Sequence, residues 1–217
     1  MPSPSPLSVG VLVSGTGTNL QALLDSVHGH EAEIVAVASS VAGARALGRA
    51  EARGVPTALF PRASYPDRDQ RDAALADWLA ARGVQLVVLA GFMDLLGEAF
   101  LARFPDAIIN VHPSLLPAFP GLHAIEQALE YGVKVFGVTV HFVDAGLDSG
   151  PVILQQAVSL PEARQPEEVL AALRPLEHSL LPEAVRLFAR GQLARDGANA
   201  RRVLTGSAEP LRGSAEG

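Results

Sequence analysis

The chain has 217 residues, 48% of them hydrophobic and 18% charged, with a formal net charge of −6 and no cysteine. That length holds one sizeable α/β domain or two small ones, and the apolar share is that of a globular protein with a core. The acidic balance argues against nucleic acid as a main partner, and the lack of cysteine excludes disulfides, thiolate metal sites and cysteine nucleophiles.

Met1 to Pro6 is a Pro/Ser arm, expected to be disordered, without the basic region and apolar run of a signal peptide. No stretch reaches the ~18 apolar residues of a membrane span, so the expected compartment is the cytoplasm. Leu7 to Ser14 reads as a buried strand. Gly15-Thr-Gly-Thr-Asn19 follows, then the helical pattern Leu20 to Asp25. Strand, glycine turn and helix start are the parts of a phosphate site. Glycines let the backbone approach an anion, and the free N–H groups of the helix point at it. The turn is not the dinucleotide fingerprint, because Leu20 stands at the third glycine, and no Gly-Lys-Ser/Thr makes it a Walker A loop. A plain βα turn is the alternative reading.

Glu33 to Ser39 is a second strand, Ala42 to Arg53 a helix ending at Gly54, and Val55 to Phe60 a short strand. Asp67 to Arg82 is an Ala-rich helix with a solvated start. Gln85 to Ala90 is the clearest buried strand, followed by Gly91-Phe-Met-Asp-Leu-Leu96 and a short helix from Gly97 to Phe104. The apolar run Ala107-Ile-Ile109 then leads into Asn110-Val-His112-Pro-Ser-Leu-Leu-Pro117. Residues i and i+2 of a strand share a face, so Asn110 and His112 project together at its C-terminal end. Pro113 stops the ladder there, and Pro117 and Pro120 are expected to hold the next segment extended. Such a pair is either a hydrogen-bonded structural feature or the start of a site.

A helix runs from His123 to Tyr131 and stops at Gly132. Lys134 to Val143 is a long strand, Asp144-Ala-Gly-Leu-Asp-Ser-Gly150 a Gly/Asp loop, and Pro151 to Gln156 another strand. Gln165 to Arg190 is helical, with Pro175 and Pro182 expected to kink or divide it. Leu193 to Leu204 reads as a hairpin turning at Asp196-Gly197, and Thr205 to Gly217 as a tail. Strands and helices alternate up to about residue 132, as in a Rossmann-like α/β fold. That pattern requires a mostly parallel twisted sheet with helices on both faces, and the two late strands add an antiparallel element. A single domain over residues 7–204 is expected.

Taken in order, Gly15-Thr-Gly-Thr-Asn-Leu20, Leu89-Ala-Gly-Phe-Met93, Asn110 to Pro117, Pro120-Gly-Leu-His123, His141-Phe-Val143 and Leu147-Asp-Ser-Gly-Pro151 resemble a known set. It is that of the folate-dependent glycinamide ribonucleotide formyltransferases of purine synthesis, and the resemblance runs from about Leu7 to Leu204. It implies transfer of a formyl group from N10 of 10-formyltetrahydrofolate to the amine of 5'-phosphoribosylglycinamide, without a metal. The N-terminal half would bind the ribonucleotide and the C-terminal half the folate.

By the same resemblance, Asn110, His112 and Asp148 are the catalytic residues. Gly15, Gly17, Thr18, Asn19 and Glu177 contact the ribonucleotide. Arg68, Met93, Asp94, Leu95, Leu96, Asn110, His141, Asp144, Gly146 and Asp148 contact the folate. These residue types suit the chemistry: an amide and an imidazolium stabilise an oxyanion, His moves protons near neutral pH, and a carboxylate orients and charges the His. The chain departs from the pattern at Asp94, where some relatives carry arginine and backbone contacts are expected, and at Ser149, which replaces a frequent glycine. Pro175 is expected to shift the helix that carries Glu177.

Asp148 lies in a Gly-rich loop, whereas Asn110 and His112 sit on a strand end. The loop is therefore expected to close on the donor and carry Asp148 in. The implied partners are small molecules, not nucleic acid or membrane, for a monomer or homodimer. Two rival formyl-folate enzymes, a deformylase and a methionyl-tRNA formyltransferase, would be expected to carry an extra domain. A non-catalytic ribonucleotide-binding module would have no use for all three of Asn110, His112 and Asp148.

Overall fold

The computed structural model describes residues 5–206. Most of the expected N-terminal arm, residues 1–4, and most of the expected tail, residues 207–217, lie outside the described residues. The strands are β1 (Leu7–Val13), β2 (Ala32–Ser39), β3 (Thr57–Leu59), β4 (Leu86–Leu89), β5 (Ile108–His112), β6 (Val135–Phe142), β7 (Val152–Ser159), β8 (Leu193–Asp196) and β9 (Asn199–Thr205). The helices are α1 (Thr18–Ser26), α2 (Arg45–Glu51), α3 (Arg68–Ala80), α4 (Glu98–Arg103), α5 (Ala124–Tyr131) and α6 (Pro166–Ala189).

The strands form one sheet in the order β3-β2-β1-β4-β5-β6-β7-β9-β8. β1 to β5 pair in parallel. β6 and β7 are antiparallel to their predecessors, and β8 and β9 form the expected hairpin beyond them. From β1 the chain winds one way to β2 and β3 and the other way to β4 and β5. That reversal is the place where open α/β sheets bind ligands, outside the carboxyl ends of the strands. The glycine turn after β1, the Gly91–Leu96 segment after β4 and the end of β5 all emerge there.

Side chains of β4 alternate between two cores. Leu86 and Val88 pack with Leu20 and Leu23 of α1 and with Val169, Leu173 and Leu181 of α6. Val87 and Leu89 pack with Leu75 and Leu79 of α3 and Phe100 of α4. A strand buried on both faces needs helices on both, which the alternation of elements supplies. β5 splits in the same way: Ile109 and Val111 join the first core and Ile108 the second. Asn110 and His112 therefore lie on the face of Ile108, towards α3 and α4.

Two local expectations are corrected. Pro175 and Pro182 do not divide the last helix, which runs unbroken for 24 residues. Each proline lacks the N–H that would bond the carbonyl four residues earlier. Burial of Leu173, Leu181, Pro182 and Val185 outweighs that loss as α6 packs on α1, β6 and β7. The segment after His112 turns back rather than staying extended. Its Leu116–Pro117 peptide is cis and Phe119 has φ +52°. Ser114 Oγ donates to the Ala118 carbonyl at 2.6 Å and the Ala118 N–H to the Leu115 carbonyl at 3.0 Å, and these short-range bonds decide the path between the prolines. No helix among the described residues is long and apolar enough to cross a membrane.

Candidate active site

The register of β5 against β6 sets Asn110 opposite His141 and His112 opposite Thr139. His141 Nδ1 lies 2.8 Å from the Phe142 carbonyl, which only accepts, so this nitrogen carries a proton. In the neutral ring Nε2 is then an acceptor, and the Asn110 amide donates to it at 3.2 Å. The other Asn110 N–H reaches Asp148 Oδ1 at 3.4 Å, a long and weak bond. His141 Nε2 also lies 3.6 Å from Asp148 Oδ1.

The same logic orients His112. Its Nε2 lies 2.8 Å from the Phe119 carbonyl and donates there. Nδ1 faces Asp148 Oδ2 at 3.3 Å. Burial lowers the His112 pKa, opposed by the Phe119 carbonyl and the Asp148 carboxylate. Burial thus favours the neutral ring, while Asp148 beside Nδ1 stabilises the imidazolium once it forms. For Asp148, burial acts upward but is outweighed by His141, the Gly121 N–H and His112, leaving a pKa of about 2. Asp148 is an anion at neutral pH, held by the Gly121 N–H at 2.7 Å. The Pro-Gly of the 120–123 motif thus provides the donor that anchors it.

The Asp144–Gly150 loop is tied down along its length. Asp144 Oδ1 accepts from the Gly146 N–H at 3.1 Å and from Ser149 Oγ at 2.6 Å. Arg201, on β9, donates to the Ser149 carbonyl at 2.6 Å. A Cβ on Gly150 would sit 1.7 Å from the Phe142 carbonyl oxygen, so glycine is required where the loop rejoins the sheet. In this structure Asp148 stands beside His112, with its Oδ2 3.3 Å from Nδ1.

A second cluster surrounds the glycine turn. Gly17 caps α1 with φ +75°, and a Cβ there would lie 2.6 Å from that of Ala46. The N–H groups of the first helical turn have no partner within the helix. Arg49 on α2 braces the turn from behind, donating to the Thr16 carbonyl at 2.9 Å. Asn19 Nδ2 donates to Glu177 Oε2 at 3.1 Å, so Pro175 leaves Glu177 within reach of the turn. Asn19 Oδ1 is buried without a protein partner. Burial raises the Glu177 pKa, opposed by the Asn19 bond and the Arg174 charge.

On the other flank Met93 and Leu95 are exposed and Leu96 is half-buried. The Met93 N–H donates to Ser14 Oγ at 3.1 Å. The Asp94 side chain is held within the protein: Arg71 Nη1 lies 2.9 Å from Oδ2 and Arg62 Nη2 2.8 Å from Oδ1. Arg68 is half-exposed at the start of α3, 3.8 Å from Asp69. The sequence reading missed Arg71. Its spacing with Leu75 and Leu79, one helical face, was the available signal.

Residues 7–185 match the model of the formyl transferase family. This chain belongs to that family. Among solved structures of formyl transferases, the chain is 48% identical to glycinamide ribonucleotide transformylase 1 from Symbiobacterium toebii. The two superpose with a TM-score of 0.90 over 94% of this chain and 96% of that one. It is 43% identical over 190 residues to phosphoribosylglycinamide formyltransferase of Mycobacterium tuberculosis, covering 87% of this chain and 88% of that protein. It is also 42% identical over 191 residues to the trifunctional purine biosynthetic protein adenosine-3 of Drosophila pseudoobscura, of whose length it spans 14%. The mostly parallel sheet with antiparallel late strands is the formyl transferase architecture of these neighbours, and the β8–β9 hairpin lies beyond the matched family span.

Proposed function

We propose that this formyl transferase moves the formyl group of 10-formyltetrahydrofolate to the primary amine of 5'-phosphoribosylglycinamide, giving formylglycinamide ribonucleotide. The observation that carries the reading is the meeting of Asn110, His112 and Asp148, with His112 Nδ1 3.3 Å from the Asp148 carboxylate. The names of the Symbiobacterium and Mycobacterium relatives support the choice of acceptor.

The donor supplies a formyl carbonyl on N10. His112 Nδ1 takes a proton from the amine as its nitrogen bonds the formyl carbon, and the imidazolium that results lies against Asp148. The loosely held Asn110 N–H is the hydrogen free to turn onto the carbonyl oxygen as it gains charge. His112 then returns its proton to N10 as the C–N10 bond breaks. One proton leaves the amine and one reaches N10, so no other acid or base is needed.

The ribonucleotide phosphate is assigned to the N–H groups of Gly17, Thr18 and Asn19 and the positive end of α1, beside Gly15. The buried, partnerless Asn19 Oδ1 suits a donor group of the substrate, and Glu177 accepts another. The folate is assigned to Met93–Leu96, Arg68, His141 and the loop bearing Asp144 and Gly146. The reading places the enzyme in the cytoplasm with small-molecule partners. The test is to supply both substrates and follow both products. One formylated ribonucleotide per folate consumed supports the proposal. Formate without it would indicate a deformylase, and ribonucleotide binding with the folate untouched would indicate a binding module.

A further inference from the structure

Arg71 and Asp72 belong to α3, yet both are only 1% exposed. Arg71 Nε and Nη2 donate to Asp72 Oδ1 at 3.0 and 2.7 Å. Nη1 donates to Asp94 Oδ2 at 2.9 Å, and Nη2 also reaches the Leu95 carbonyl at 3.4 Å. Asp72 Oδ2 accepts the Gly97 N–H at 2.7 Å. Two adjacent helical residues therefore grip residues 94, 95 and 97 of a segment with no regular structure between β4 and α4. Gly97 fits closely there, since a Cβ would meet Asp72 Oδ2 at 3.3 Å.

A buried guanidinium is costly unless its donors are satisfied. Here it bridges two carboxylates, one of which also takes Arg62. The formal charges of Arg62, Arg71, Asp72 and Asp94 sum to zero, so Asp94 presents no net repulsion to an anionic ligand nearby. An apolar pair would fill the same space at less desolvation cost. What the ionic pair adds is direction: planar, forked bonds that fix backbone atoms at set distances.

We propose that Arg71 and Asp72 are positioning residues for the formyl donor, acting by holding Met93–Leu96 in the shape that receives it. The assignment rests on the reading of that segment as the folate-lining one. Neither residue touches substrate; their effect passes through the backbone at 94–97. Loss of the grip raises the KM for 10-formyltetrahydrofolate and leaves kcat and the ribonucleotide KM close to wild type. A merely structural role would lower the folded fraction and hence kcat, with both KM values unmoved.

The experiment compares Arg71→Lys with wild type, with circular dichroism and thermal melting confirming the fold. Lysine keeps the charge but replaces three fixed nitrogens by one, so the set of bonds from Nε, Nη1 and Nη2 to Asp72 and Asp94 is lost. The donor KM is expected to rise about tenfold, which corresponds to about 1.4 kcal/mol of lost donor binding. Asp72→Asn weakens the Gly97 anchor, is expected to act in the same direction, and decides the matter if Arg71→Lys does not fold. A folded variant with both KM values within twofold of wild type overturns the proposal. A wild-type enzyme that neither binds nor consumes the folate overturns the assigned reaction instead.

Discussion

Replacing Asp148 by Asn removes one charge and little shape. The bond to the Gly121 N–H at 2.7 Å becomes neutral, and the anion 3.3 Å from His112 Nδ1 disappears. At that distance and an effective dielectric constant of about 20, Coulomb's law gives roughly 5 kcal/mol between the carboxylate and a protonated His112. The Asp148 side chain is 14% exposed, so solvent screening takes part of this. The whole would equal between three and four powers of ten in rate, roughly. Because the interaction exists only while His112 holds the proton, its loss falls on the barrier, and kcat is expected to drop by about 10²–10³-fold. The His112 pKa should fall further, since one of the two influences that oppose burial is gone. Steady-state rates across pH and an NMR titration of the His112 ring measure the two effects. Wild-type stability carries a matching signature. The Asp148 pKa is depressed from 3.8 to about 2, so its contribution is complete above 3.8 and vanishes as pH falls through 2. A variant whose kcat stays within tenfold of wild type, or whose His112 pKa rises, would refute the reasoning.

Gly17→Ala places a Cβ at φ +75° and 2.6 Å from Ala46. It is expected to cost about 1–3 kcal/mol in urea unfolding and to raise the ribonucleotide KM; an unchanged KM would remove the turn from the phosphate site. Glu177 has a raised pKa, so the folded state binds the extra proton and stability falls as pH rises from 4.5 through the folded value. Melting curves should show Glu177→Gln gaining on wild type over that range, and parallel curves would contradict the burial argument. Arg201→Ala removes the bond to the Ser149 carbonyl and should speed amide exchange within residues 144–150, with kcat falling severalfold; equal exchange would mean the hairpin does not hold the loop.

The alternation of strands and helices, the glycine turn and the shared face of Asn110 and His112 were all legible along the chain, because the first and last depend on periodicities of two or 3.6 residues and the turn on closely spaced glycines. Local signals misled at Pro175 and Pro182, whose missing N–H groups matter less than the apolar face α6 buries. They misled again after His112, where Ser114 and Ala118 bend a segment that its prolines suggest is straight. Tertiary structure alone decided the rest. His141 meets Asn110 through the register of an antiparallel pair, Asp148 is anchored by Gly121, and Glu177 comes to Asn19 by the packing of α6 on α1. The spacing of Arg71 with Leu75 and Leu79 hints at a buried position, but its partners Asp94 and the Leu95 carbonyl are supplied only by the fold. Faces and turns are properties of neighbouring residues, but the partner a side chain finds across the fold depends on register and packing, which only the closed core determines.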